Sequence, residues 1–164
     1  MATLQVRVMT LADTDAVGEL YDALDLLHIE QLPWLFARPE RSPRRRRFFA
    51  GVLGSLRSTL IVATDDDVVV GFVQVELATS PNAGVSKARV TGRIDAIFVA
   101  PTHRRGGAAV ALLRAAEAWA TERGAAAVEL NVYAFNGSAR EAFARMGYAP
   151  LSYKMSKATD RELG

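Results

Sequence analysis

Apolar and polar residues alternate with a two-residue period from Leu4 to Val8, which predicts a strand. The period then lengthens. Val17, Leu20, Tyr21, Leu24 and Leu27 recur at helical spacing behind Thr10 and Asp13, whose side-chain oxygens suit a helix start. Pro33 and Pro39 interrupt the next connection, and a second helix is expected from Ser42 or Pro43 to Leu56, with Phe48, Phe49, Val52, Leu53 and Leu56 as its apolar stripe. Thr59 to Ala63 and Val68 to Ala78 read as two strands of a hairpin around Asp65-Asp66-Asp67. A loop over 79–91, with Pro81, Asn82 and Gly84, leads to a strand from Arg93 to Val99. The chain then predicts a helix running to about Arg123 and closed by Gly124, a strand from Ala126 to Tyr133, a short helix from Asn136 to Met146, and a last strand from Ala149 to Met155. This order predicts an α/β fold with a mixed sheet and a strand-helix-strand crossover.

The crossover carries the most informative loop. Between the strand ending at Val99 and the following helix stand Arg104, Arg105, Gly106, Gly107, Ala108 and Ala109. Their small side chains keep bulk away from the first helical turn, where unpaired N–H groups and the helix dipole favour an anion. A charge-assisted hydrogen bond contributes roughly 1.5–3 kcal/mol, so several together can hold a pyrophosphate. The two common nucleotide loops do not fit: there is neither Gly-x-x-x-x-Gly-Lys-Ser/Thr nor a Gly-x-Gly-x-x-Gly after a strand.

Composition narrows the chemistry. The 164 residues suit a single domain, 1–164, and half of them are apolar. No apolar run approaches a membrane span, and the first ten residues lack the regions of a signal peptide, so a cytoplasmic protein without a membrane partner is expected. Cysteine is absent, which excludes disulfides, thiolate metal sites and a cysteine nucleophile. With only His28 and His103, no metal site is expected either. The formal charge is +2, and the basicity concentrates in Arg41 and Arg44 to Arg47. That tract reads first as a solvated helix face, second as a contact for an acidic substrate or outlying phosphate, and last as a nucleic-acid patch, so no nucleic-acid partner is expected.

Arg104-Arg105-Gly106-Gly107-Ala108-Ala109 matches the pattern Arg or Gln, two residues, Gly, one residue, Gly or Ala. Together with Val6 to Thr10 and Asp13, with Val99 and Pro101, and with Asn136 to Ala139 and Met146-Gly147-Tyr148, it resembles the GNAT superfamily of acyl-coenzyme A dependent N-acetyltransferases along nearly the whole chain. The resemblance implies a GNAT fold with a splayed strand pair, acetyl-CoA as cosubstrate, and direct acetyl transfer to a primary amine of a small molecule or peptide. It also places residues. Positions 104 to 109 would bind the pyrophosphate through backbone N–H groups, Ile97, Phe98 and Val99 would meet the pantetheine arm through their backbone, and Asn136 and Phe143 would border its other side. Asn136 reads equally well as a plain helix cap. Homodimerisation, common in similar proteins, is a further expectation.

The catalytic pair is less regular. A tyrosine acid that the family often carries seven residues after the asparagine is here Phe143, and a glutamate base found in relatives acting on ribosomal-protein N-termini is here Asn131. Asp95 is the first replacement for the base, also readable as a polar strand end paired with Arg93 or Arg89, and Glu76 is the second, also readable as an exposed cross-strand charge. By alternation Asp95 should share a face with Ile97 and Val99. Tyr148 or Tyr133 could supply an acid, or simply pack as an aromatic. His28, Trp34 and Phe36 lie where the family forms its acceptor pocket, or in an ordinary packed connection. An acyl-CoA binding protein with little catalysis is the alternative function.

Overall fold

The structure, a computed structural model, describes residues 4–157 and residue 159. Strand β1 (Leu4–Val8) is followed by a 3-10 turn and helix α1 (Thr14–Gln31). The turn closes as the sequence suggests: the Thr10 backbone N–H donates to Asp13 Oδ2 at 2.8 Å, and Arg7 forks onto both Asp13 oxygens at 2.8 and 2.9 Å. Helix α2 spans Arg46–Leu53, then β2 (Ser58–Asp65), β3 (Val68–Ser80), β4 (Arg89–Val99), α3 (Ala108–Glu122), β5 (Ala127–Leu130) and α4 (Gly137–Arg145).

The five strands lie in sequence order in one sheet; β1 to β4 pair antiparallel, and β4 pairs with β5 in parallel. The β2–β3 hairpin closes at Asp66 and Asp67, whose φ values of 46° and 65° are the double left-handed turn that fits the right-handed strand twist. Both faces of the sheet are covered. On one, Val73, Val75, Ile94 and Val99 pack under α3 through Leu112 and Ala116. On the other, Val62, Phe72 and Phe98 pack against Val17 and Tyr21 of α1 and Phe49 of α2. Each fully buried large side chain contributes about 1.5–3 kcal/mol. Burial on two faces explains the unbroken apolar run Leu60 to Ala63 in the middle of β2.

Four expectations are corrected. Helix α2 starts at Arg46, because Ser42 bonds Asp22 and Arg44 pairs with Asp25, which ties the preceding tract to α1 in a non-helical path. Leu56 lies past its end and is exposed. Strand β4 begins at Arg89, inside the expected loop, since it finds partners along Gly71–Ser80 of β3, while β5 stops at Leu130 for want of further pairing. Finally, residues 149–155 are not a strand: they have the alternation but, among the described residues, no ladder partner, and Leu151, Tyr153 and Met155 stand in solvent. Among the described residues no helix is long and apolar enough to cross a membrane.

Candidate active site

The loop between β4 and α3 is shaped by backbone conformation. Arg105 and Gly107 both take positive φ, 65° and 85°, and Gly107 caps α3 in the left-handed region, where a Cβ is strained. Among the described residues, no protein group accepts from the backbone N–H of Arg105, Gly106, Gly107, Ala108 or Ala109. Gly106, Gly107 and Ala109 are exposed, so these donors are open to a ligand. The two arginines separate: Arg105 faces solvent, while Arg104 folds back, lies over the Phe98 ring at 5.4 Å and donates from Nε to the Val99 carbonyl at 3.1 Å. One lone pair of that expected pantetheine contact is therefore already in use. His103 turns toward Asp65, with 3.5 Å between Nε2 and Oδ2.

The strand leading into this loop parts from its neighbour. β4 and β5 pair only from Thr91–Ala127 to Ile94–Leu130, and β4 continues alone on that side to Val99. The main chain of Asp95 to Val99 thus has no strand partner on that side among the described residues, up to the loop that carries the open amides of α3. The residue at which pairing stops is also a β-bulge: Gln74 pairs with Ala96 and Val75 with Ile94, which leaves Asp95 as the extra residue.

That bulge corrects the expected facing of Asp95. Ile94, Ile97 and Val99 pack on the α3 side, whereas Asp95 meets Gln74 and Arg93 on the α1 side, with Phe98 below. A polar network runs across this face. Arg44, paired with Asp25, lies 4.7 Å over the Tyr21 ring; the Tyr21 hydroxyl donates to Gln74 Oε1; and Gln74 Nε2 approaches Asp95 Oδ2 at 3.5 Å. Arg93 donates from Nε to Asp95 Oδ1 at 2.8 Å and also pairs with Glu76. Burial, with the nearby Asp95 and Asp25 charges, raises the Tyr21 pKa, against the Arg44 charge, so Tyr21 remains a proton donor in its bond to Gln74. Asp95 keeps Oδ2 only weakly engaged.

The structure brings His28 and Phe36 together but leaves Trp34 out. His28 contacts Phe36, Tyr133 and Phe135 at ring separations of 5.7, 5.1 and 6.0 Å, and Tyr133 and Phe135 stack at 5.9 Å. Trp34 makes no ring contact among the described residues and is half exposed. Phe135, missed in the sequence, gives no signal there beyond being aromatic, and Tyr133 was legible only as an acid candidate. Desolvation in this cluster lowers the His28 pKa against the pull of Asp25, so the ring stays neutral near pH 7. Asn136, next to Phe135, caps α4: its Oδ1 accepts from the Ala139 N–H at 3.2 Å.

The sequence profile of the Acetyltransferase (GNAT) family matches residues 23–148, most of the chain. The chain belongs to that family. No curated protein sequence matches it significantly. Among solved structures, a mutant BH1408 protein from Bacillus halodurans is 22% identical, with a TM-score of 0.88 over 94% of this chain and 98% of that one. A transcriptional regulator from the same organism is 18% identical, with a TM-score of 0.76 over 95% and 99%. The aminoglycoside N-acetyltransferase AAC(6')-Iy, solved in complex with CoA, is also 18% identical, with a TM-score of 0.73 over 97% and 96%. These likenesses show the shared fold.

Within this GNAT domain, Tyr148 is not placed with Asp95 and Glu76. Its hydroxyl donates to Glu117 of α3 at 2.7 Å, and its ring meets Phe143 on the α3 side of the sheet. Burial and the Glu117 carboxylate raise its pKa. Its proton is directed at Glu117, and Phe143, packed beside it, has no proton to give. Among the described residues no cluster of three or more His, Asp or Glu side chains could hold a metal ion.

Proposed function

We propose that this GNAT protein is an acetyl-CoA-dependent N-acetyltransferase that acylates a primary amine of a small molecule or peptide by direct attack. The observation that carries this reading is the run of unpartnered amides at the α3 N-terminus, following the stretch of β4 that β5 leaves unpaired. In this reading the N–H groups of Arg105 to Ala109 hold the diphosphate, the backbone of Ile97 to Val99 aligns the pantetheine arm, and Asn136 and Phe143 close its far side. When bound, acetyl-CoA supplies a thioester carbonyl open to an amine and a sulfur whose thiol, with a pKa of about 8.5, departs without a dedicated acid.

The chain's own task is the proton. An alkylammonium with a pKa of about 10.4 costs roughly 4.6 kcal/mol to deprotonate at pH 7, so a base accelerates attack. Asp95 Oδ2, at the point where the strands part, receives that proton, directly or through water; Glu76, shared through Arg93, is the second choice. The carboxylates of Glu76, Asp95 and Glu129, spread over β3, β4 and β5 and matched only by Arg93 and Arg89, leave a net negative charge that favours a cationic acceptor. His28 and Phe36, with Tyr133 and Phe135, line its apolar body. An acyl-CoA binding protein with little catalysis is the second reading, favoured by Phe143 in place of a tyrosine acid.

Calorimetry with acetyl-CoA, and release of free thiol with a panel of amines that includes an aminoglycoside, test both. Binding together with amine-dependent thiol release supports the transferase. Gly107→Glu places a strained, negatively charged residue in the loop and should weaken binding at least tenfold, about 1.4 kcal/mol. Absence of binding, or unchanged affinity in that variant, overturns the reading. Binding with no thiol above background supports the second.

A further inference from the structure

We propose that Gln74 is a positioning residue for acetyl transfer: its side-chain amide, aimed by the Tyr21 hydroxyl, holds the Asp95 carboxylate charged and oriented toward the incoming amine. This rests on the reading of Asp95 as the base. Tyr21 and Gln74 are buried, at 2% and 9% exposure, on the face of the sheet where Phe72 and Phe98 pack against α1. Two polar side chains cost free energy there that apolar ones of similar volume would not. Within the pair the cost is offset by the bond from the Tyr21 hydroxyl to Gln74 Oε1. The one further polar side chain that Gln74 reaches among the described residues is Asp95, with 3.5 Å between Nε2 and Oδ2.

A glutamine amide carries an acceptor at one end and a donor at the other, and a half-turn exchanges them. Tyr21 decides between the two. Burial raises its pKa and keeps the hydroxyl proton in place, so it donates to Oε1 and leaves Nε2 for Asp95. The reversed amide would set Oε1 against a carboxylate oxygen, two acceptors with no proton between them. Tyr21 is itself fixed, by Phe72 at a ring separation of 4.2 Å and by Arg44, paired with Asp25, over its other side. An N–H facing a carboxylate favours the charged form, which is the form that takes a proton from an amine. The other charges around Asp95 do not do this at Oδ2. Arg93 holds Oδ1 and is shared with Glu76 of β3, while Glu129 of β5, opposite Arg93 in the ladder, pairs with Arg89. The bulge explains the need for such a donor: Asp95 is the extra residue of β4, with no cross-strand partner of its own, and Gln74 flanks it on β3.

Gln74→Met keeps the length of the side chain and removes the donor; Tyr21→Phe removes the hydroxyl that aims it. In the full chain, with acetyl-CoA and an amine that wild type acetylates, Gln74→Met should lower kcat/KM at pH 7 about 5–50-fold and leave acetyl-CoA affinity within about twofold. The acid limb of its kcat/KM profile should move to higher pH by about half to one unit, and further in Gln74→Glu, whose carboxylate repels that of Asp95. Tyr21→Phe should move the limb the same way, and it carries the test if Gln74→Met does not fold. Tyr21→Phe/Gln74→Met should be no slower than Gln74→Met alone, and Gln74→Met should be silent in an Asp95→Asn background, because all three act through one carboxylate. If Asp95→Asn is slow while Gln74→Met and Tyr21→Phe keep the wild-type rate and acid limb, this inference is overturned and the base stands. A Gln74→Met loss of the same size with and without Asp95 marks a role in packing and overturns it as well. An Asp95→Asn enzyme at full rate, or no thiol release with any amine, removes the reading underneath and this inference with it.

Discussion

Asp95 and Ile97 stand two places apart on β4 and face opposite sides of the sheet, because the bulge at Asp95 shifts the pleat by one residue. The carboxylate is thereby turned away from the α3 core and into the network of Gln74, Arg93 and Tyr21.

If that carboxylate takes the proton from the incoming amine, Asp95→Asn keeps the shape and removes the base. Thiol release should fall 10²–10⁴-fold in kcat/KM, with acetyl-CoA affinity within about twofold of wild type. Arg93→Gln is the companion variant, since it removes the ion-pair partner and leaves the carboxylate. Steady-state rates and calorimetry on both check the assignment; an Asp95→Asn enzyme with full turnover eliminates Asp95 and leaves Glu76.

Arg7 and Asp13 supply a stability prediction with a pH signature. The Arg7 hydrogen bonds, aided by the Thr10 N–H and hydroxyl, hold the Asp13 carboxyl at a pKa of about 2 against an ordinary 3.8. Its contribution to stability is fully present above the unfolded value of 3.8 and is lost as pH falls toward 2. The shift corresponds to about 2 kcal/mol, and the half-exposed Arg7 side reduces it by screening to about 1–2 kcal/mol. Asp13→Asn should lower Tm by roughly 2–8 °C at pH 7, and the difference from wild type should close near pH 2. Thermal melts across that range are the measurement; a gap that stays constant with pH would refute the linkage.

Gly92 lies where α3 comes closest to β4. A Cβ there would sit 2.5 Å from the Ala120 Cβ, and neither atom can rotate away. Gly92→Ala should cost roughly 1–3 kcal/mol. Adding Ala120→Gly should recover part of the loss despite its own helix cost of about 1 kcal/mol, giving a favourable coupling in a double-mutant cycle. Denaturant unfolding reads it, and a Gly92→Ala protein as stable as wild type would show that the helix lifts freely.

Much of this was legible in local chemistry. The Thr10 and Asp13 spacing marked the start of the first helical region, Asp65 to Asp67 marked the hairpin, and the run of small residues from Gly106 to Ala109 marked a loop of bare amides, because caps, turns and glycine-rich loops are set by neighbours in sequence. The site was legible only in pieces. His28 and Phe36 could be singled out, but Tyr133 and Phe135 join them only once β5 has been laid beside β4. Alternation misdirected Asp95, since a bulge is a property of the pairing between Gln74 and Ala96 and leaves no mark on either strand alone.

From its sequence the chain determined the order of its strands and helices, with one strand written but unpaired at 149–155, and the loop that is open to an anion. Tertiary structure alone decided which way Asp95 points, which rings gather around His28, and which written strand finds a ladder. Those outcomes depend on hydrogen bonds and packing between residues far apart along the chain, and a two-residue or helical period carries no record of its partner.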